Sequence, residues 1–466
     1  MVQTAMDRTA VRIKPVYGAL VHTDIWEGPC RAGPLETLGQ DAELQTERHT
    51  FEAWITELRA ELAADPRTTE DAVEIVDPVF ARFTESLIPS DGVYQEIGDG
   101  IESIDLIVGH GRRFYGIERY QRPVTVLNRG VSAVDVIAGC RRNGVEAWVS
   151  LDYRDLCRII HLLRVRKAVA ATRALVLTAG RFPSWGVLSN ITDHEGLRRR
   201  YGFTVETAPF PSFAPAMDDA DRRRATTIAE ELQSAAGESR IATEDLANDA
   251  QYYLGVEEML DRSGADAFST SCFELCASRA PQNRRFVPCL THSLLKDRGI
   301  PSACEEDINA LLAMTVLQYL TGQTAFMGNP LFENEEMISI HHAVPGRKME
   351  GRNAADLPFD IWTFTHQGFG AKMQVDLAES EVTIARFDPQ GTRMLLKTGR
   401  VVKTEYREDY CSPWYYIAME QARAYIHAQG DFGHHQVLVL GDHRADVRAL
   451  SKIMGFSVYE PDGSEI

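Results

Sequence analysis

The chain contains no apolar run approaching the 18 or more residues that cross a bilayer, so no membrane-spanning helix is expected. Its opening, MVQTAMDRTAVRIKP, has no apolar segment behind a basic start, and no signal peptide is expected. Positive charge is in deficit. Lys plus Arg number 49 against 67 Asp plus Glu, a net charge of −18. That excludes a general nucleic-acid binder, which needs a basic face, and an anionic membrane surface as partner. The eight cysteines (Cys30, Cys140, Cys157, Cys272, Cys276, Cys289, Cys304 and Cys411) form no CxxC pair and no small-domain framework. Free thiols in a reducing cytosol are expected, and with them a cytoplasmic location. There is no GxGxxG, no P-loop, no internal repeat and no low-complexity linker.

What remains is an ordinary globular composition, 44% apolar and 25% charged, on 466 residues. That length suits roughly three domains of about 150 residues each. Short β-branched runs ending in Gly recur, IDLIVGHG at 104–111 and VTVLNRG at 124–130, and VDVIAG at 134–139 and VEAWVSL at 145–151 sit around a Gly-rich turn. They read as buried parallel strands. Helical stretches lie between such runs. In HTFEAWITELRAELAAD at 49–65, Phe51, Trp54, Ile55 and Leu58 share one helical face. The alternation predicts an open α/β sheet.

LLRVRKAVAAT at 162–172 reads as a helix leading into a second α/β unit. That unit opens with ALVLTAGRFPSWG at 174–186, then DHEGLRRRYGFTVETAP at 193–209, a βαβ pattern. A charged helical segment follows at 214–250, and ADAFSTSCFEL at 265–275 resumes the strand–loop pattern. SACEEDINALLAMTVLQYLTG at 302–322 reads as a loop entering a long helix. From about 350 the texture becomes strands joined by short Gly turns, with PQG at 389–391 as a hairpin signal. The expected fold is therefore α/β: an open α/β domain over 1–165, a second over 166–347, and a β-rich, barrel-like C-terminal domain over 348–466.

Three polar clusters stand out. In CEED, Glu305, Glu306 and Asp307 enter a helix. Capping explains one acid but not three, so at least one is expected to point elsewhere. FMGNPLFENEEMISIHHAVPG carries Asn329, Glu333, Glu335, Glu336 and the pair His341–His342, of which a strand turns only one toward a given pocket. GHHQVLVLGDH carries His434, His435 and His443. An oxygen-rich site with an imidazole suits Mn²⁺ or Mg²⁺ better than a thiolate zinc site. Cys272 and Cys276 have no clear base and read as buried structural thiols. The triplets Arg198–Arg200 and Arg222–Arg224 read as solvated helix faces. Trp26 sits on a loop, where it either lines a substrate pocket or packs in a core. The segments 20–30, 180–195 and 362–370 are where side chains setting specificity are expected.

The CEED–helix junction, FMGNPL and HHQVLVLGD together resemble the L-fucose isomerase and L-arabinose isomerase superfamily. The likeness follows the layout of most of the chain and is specific at 300–345 and 430–460. It implies that Glu305 and His435 bind Mn²⁺ (or Mg²⁺), with Asp307 matching the Asp that follows the family's Glu. It implies that Asn329 stands where the family has an acidic metal ligand, and that His341 is a substrate contact. It further implies an aldose–ketose isomerase working through an enediolate, with a small open-chain sugar as substrate and Glu305 as ligand and base. Assembly as a homo-trimer or homo-hexamer, with sites completed by neighbouring subunits, is implied as well. Asn329 is the departure, since an amide brings neither charge nor basicity at neutral pH. It leaves three outcomes: takeover by Glu333 or a neighbouring acid, metal-dependent C–C cleavage of a sugar acid by a decarboxylase or lyase, or a non-catalytic sugar-binding homologue.

Overall fold

The computed structural model describes residues 3–22, 40–84, 86–113, 115–364, 368–377 and 379–462. Trp26 and Cys30 lie outside them. The chain divides into two compact units, Thr9–Arg164 and a second made of Met1–Arg8 with Val165–Ile466. The division falls within helix Tyr153–Ala171. No helix among the described residues is long and apolar enough to cross a membrane.

The Thr9–Arg164 unit is a parallel sheet. β1 (Val11–Leu20) pairs with β2 (Val73–Ile75) and β3 (Val79–Phe83) on one side and with β4 (Leu106–Gly111) on the other. β5 (Val124–Leu127) and β6 (Ala147–Ser150) extend it. Helix Gln40–Ala64 buries Trp54 and Leu58 of the expected face, with Leu62 beyond them, and half-buries Phe51 and Ile55. VDVIAG, expected as a strand, is instead part of helix Val131–Arg142. Ala133, Ile137 and Cys140 are its buried face, while Val134 is exposed. The period is helical, and the β-branched residues hid it.

The second unit holds two larger sheets and a two-stranded one. β7 (Arg173–Thr178), β8 (Thr204–Pro209), β9 (Ala267–Thr270) and β10 (Ser302–Cys304) form a parallel sheet in the order β10-β9-β7-β8. Between β7 and β8 runs helix His194–Tyr201, the expected βαβ unit. The other larger sheet is a closed antiparallel barrel of six strands: β11 (Phe326–Asn334), β12 (Met337–His341), β15 (Glu381–Phe387), β16 (Arg393–Glu405), β17 (Trp414–Ala418) and β18 (Gln436–Leu440). Pairing of β15 with β16 closes it, through the turn at PQG. The last strand, β19 (Ser457–Tyr459), runs parallel to β16.

The β-rich texture beyond 350 does not all belong to the barrel. β13 (Phe359–Thr363) and β14 (Ala371–Val375) form a separate hairpin. Their apolar face, Phe359, Ile361, Ala371, Met373 and Val375, joins the core built by helices Thr243–Ser263 and Cys289–Asp297. Conversely, two barrel strands come from 326–341, upstream of the change in texture.

Helix Ile308–Thr321 is buried from Ile308 to Leu320. A helix apolar all round has no solvent face. It packs against β9 and β10 of the parallel sheet and against β15 and β18 of the barrel. Its N-terminus, where β10 delivers the chain, therefore lies where the two sheets meet. The open end of a parallel sheet is where α/β proteins place ligands.

Candidate active site

Cys304 ends β10, and the next three residues turn the chain into the central helix. Glu305 and Glu306 both have positive φ, +60° and +61°. Non-glycine side chains are strained there and persist only when the surroundings hold them. Here they are held. The Glu306 N–H donates to Thr270 O (3.0 Å) and the Asp307 N–H to Cys304 O (3.2 Å). Ser184 Oγ donates to Glu305 O (3.0 Å), and Asn190 Nδ2 to Glu306 O (2.6 Å). Of the three acids only Asp307 caps the helix, accepting the Ala310 N–H at 2.8 Å. The sequence expectation that at least one of the acids points elsewhere is met.

Asp307 anchors a buried network. Its Oδ2 accepts from Arg386 Nη1 (2.6 Å) and from His435 Nδ1 (2.8 Å). All three side chains are fully buried. Arg386 Nη1 also donates to His435 O (2.8 Å), and Nε to Phe432 O (2.5 Å). Gly433 is needed for this approach. A Cβ there would stand 2.3 Å from Ser189 Oγ and 2.8 Å from Arg386 Nη2. Burial works to raise the Asp307 carboxyl, but Arg386 and His435 outweigh it and hold it well below the usual range.

An ionised carboxylate only accepts, so the proton between Asp307 and His435 belongs to Nδ1. That leaves His435 Nε2 as the nitrogen offered to the site. It is buried, has no hydrogen bond, and stands 3.5 Å from Glu305 Oε2. The other oxygen of Glu305 lies 3.3 Å from His342 Nε2. Ligand atoms of Glu305, His434 and His435 all lie within 4.8 Å of one another. Burial opposes the charge on Glu305, yet His435 and His342 hold its carboxyl below the usual range. Burial pulls His435 down, while Glu305 and Asp307 lift it to about 9. His342 is driven down by burial against the pull of Glu305, and His434 is pushed down to about 4 by burial and by His435. A buried carboxylate facing an imidazole nitrogen with no hydrogen bond is a donor set that fits a divalent cation.

Glu306 turns the other way, over the ends of β7 and β9. Its Oε2 accepts from Ser271 Oγ, while its Oε1 is buried without a partner. Burial pushes its carboxyl up to about 7, with help from Glu274 and against the nearby Thr178 hydroxyl.

Of the residues expected from the sequence, Glu305 and His435 are brought together. Asn329 pairs with His341 across β11 and β12, and its neighbour Gly328 pairs with Gln436. That register sets Asn329 beside the strand end carrying His435. It is His342, not His341, that meets Glu305. His341 stacks on Trp414 at 4.2 Å between ring centroids, and Trp414 lies under the Arg407 guanidinium at 3.7 Å. Glu333 is exposed and accepts from Ser339 (2.6 Å), and Glu335 pairs with Arg423. The expected site residues did not include His342, His434, Glu306 and Arg386. The two histidines and the acid stood in view as an HH pair, a second HH pair and a surplus carboxylate. The signal for Arg386 was a cation within the apolar run VTIARF.

No family model matches the chain. It is similar to a protein of Alkalicoccus urumqiensis named sulfoquinovose isomerase, 25% identical over 324 residues, 65% of this chain and 68% of that relative.

Proposed function

We propose that this protein is a divalent-metal-dependent sugar isomerase that interconverts an aldose and a ketose, with sulfoquinovose as the first substrate to test. The observation that carries the reading is the His435 imidazole, whose Asp307 partner leaves its buried Nε2 facing Glu305. The similarity to a protein named as a sugar isomerase supports the same class of reaction.

Glu305 and His435, with His434 beside them, would hold Mn²⁺ or Mg²⁺. An ion held there would supply Lewis-acid stabilisation of the negative charge that an enediol intermediate develops. Moving hydrogen between C1 and C2 also needs a base that is ionised at neutral pH. Glu305 meets that condition. Asp307 holds the Nδ1 proton of His435, so the Nε2 proton is the one a cation would displace to take that lone pair. Glu306 is the second carboxyl of the turn and, at about 7, is suited to giving or taking a proton near neutral pH.

The test combines metal content with chemistry. Protein purified without chelators should carry about one divalent ion per chain. Turnover of sulfoquinovose in D₂O should place deuterium at the carbon that receives the proton, C1 of the ketose product, read by NMR. Glu305→Gln should lower turnover about 10³-fold while circular dichroism stays unchanged. Turnover that persists in this variant, or that survives full removal of metal, would overturn the reading.

A further inference from the structure

The loop 181–190 is tied to the Glu305 turn by three side chains. Besides Ser184 and Asn190, which bond the carbonyls of Glu305 and Glu306, Asn190 Oδ1 accepts the Ile308 N–H (2.9 Å), and Asn309 Oδ1 accepts the Ile191 N–H (2.8 Å). The Trp185 N–H donates to Glu274 Oε1 (2.7 Å), which ties the loop to helix Cys272–Ala277 as well. With its backbone so held, this stretch still presents large apolar side chains to solvent. Trp185 is 72% exposed, Leu188 78% and Phe273 45%. The Trp185 and Phe273 rings meet edge to face, 5.0 Å between centroids.

Their position relative to the site follows from Gly186. A Cβ on it would stand 2.9 Å from Glu305 Oε2 and 2.9 Å from Phe273 Cδ2. The aromatic pair and the carboxylate therefore flank the same glycine. Exposed aromatics on a held backbone, beside a buried acid, mark a ligand site rather than a stray surface contact. A sugar supplies the complement. One face of it carries C–H groups that stack on an aromatic ring, and its hydroxyls reach the polar groups beyond.

We propose that Trp185 and Phe273 form an aromatic lip on which the C–H face of the sugar stacks, holding its non-reacting end while C1 and C2 meet Glu305. The proposal rests on the sugar-isomerase reading and names residues that bind the substrate away from the reacting atoms. Contact with the non-reacting end is the same in ground and transition states, so its loss raises KM and spares kcat.

Steady-state kinetics and equilibrium sugar binding on the metal-loaded protein test this, with sulfoquinovose, L-fucose and L-arabinose as probes. Trp185→Ala should raise KM and Kd about tenfold, with kcat within about twofold and metal content unchanged. Trp185→Phe should restore most of the affinity. Phe273→Ala should act in the same direction, which guards against a loop effect peculiar to Trp185. An unchanged KM and Kd in Trp185→Ala would overturn the lip and leave the isomerase reading standing. So would a loss of metal, or a change in molar mass by light scattering that accounts for the lost affinity. If the wild-type protein neither binds nor turns over any of the three sugars, the isomerase reading fails and the lip with it.

Discussion

Two sides of one turn behave oppositely. On the Asp307 side every polar atom that matters is answered: the carboxylate takes the Ala310 N–H, Arg386 and His435, and Arg386 spends its nitrogens on Asp307, His435 O and Phe432 O. On the Glu305–Glu306 side, Glu306 Oε1, His435 Nε2 and His342 Nδ1 are buried without partners. Both sides are equally enclosed, so burial alone does not separate scaffold from site. The difference lies in satisfaction. An unanswered buried group costs free energy, and proteins keep one where a ligand answers it.

The sharpest way to break this comparison is Arg386→Leu. Removing one member of a buried ion pair leaves Asp307 uncompensated, at a cost of about 3–5 kcal/mol. A large fall in the thermal midpoint is expected. Glu305→Gln should lower the midpoint by less, because the His435 it leaves keeps Asp307 as its buried partner. If the two variants lose equal stability, the division of the turn into scaffold and site is wrong.

A smaller effect is carried by pH in chelator-treated protein. His435 sits at about 9 in the fold against an ordinary 6.5. A raised imidazole stabilises fully below its unfolded value and loses that contribution as pH climbs through its folded one. The metal-free protein should therefore lose on the order of 3 kcal/mol between about pH 6.5 and 9. His435→Gln should flatten that slope. Saturating Mn²⁺ should reverse it, because the cation needs the neutral imidazole and binds better as pH rises. Thermal midpoints measured across this range, with and without Mn²⁺, decide the matter.

Much of the layout was legible in the sequence because periodicity reports on faces. The parallel strands, the βαβ unit at 174–209, the hairpin at PQG and the buried helix after CEED all followed from it. VDVIAG did not, because a short β-branched run carries no period of its own until its buried partners Ala133 and Cys140 are known. Nor did the fate of 359–375, whose alternation shows that a hairpin has an apolar face but not which core covers that face. In the site, Glu305 and His435 stood at the two ends of recognisable motifs. The choice between His341 and His342 did not, since the β12 ladder ends at His341 and alternation lapses with it. Arg386 shares a strand face with Val382 and Ile384. A cation there demanded a buried anion, but Asp307 lies 79 residues away in sequence.

The smallest stability effect should belong to Gly186→Ala, and it sharpens the comparison most. The new methyl would stand 2.9 Å from both Glu305 Oε2 and Phe273 Cδ2, so one of them must move. Phe273 is partly exposed and can turn away, which limits the stability cost to about 1 kcal/mol. Glu305 has less freedom, because its backbone is bonded by Ser184 and its oxygens lie against His342 and His435. A shift of a few tenths of an ångström at that carboxylate should lower kcat tenfold or more, since a base and ligand works only in register with its partners. Activity should thus fall far more than stability, the reverse of Arg386→Leu, where the thermal midpoint moves first. If Gly186→Ala keeps full kcat, Glu305 is not held where the scheme requires it, and the unanswered side of the turn needs another explanation than a metal and a sugar.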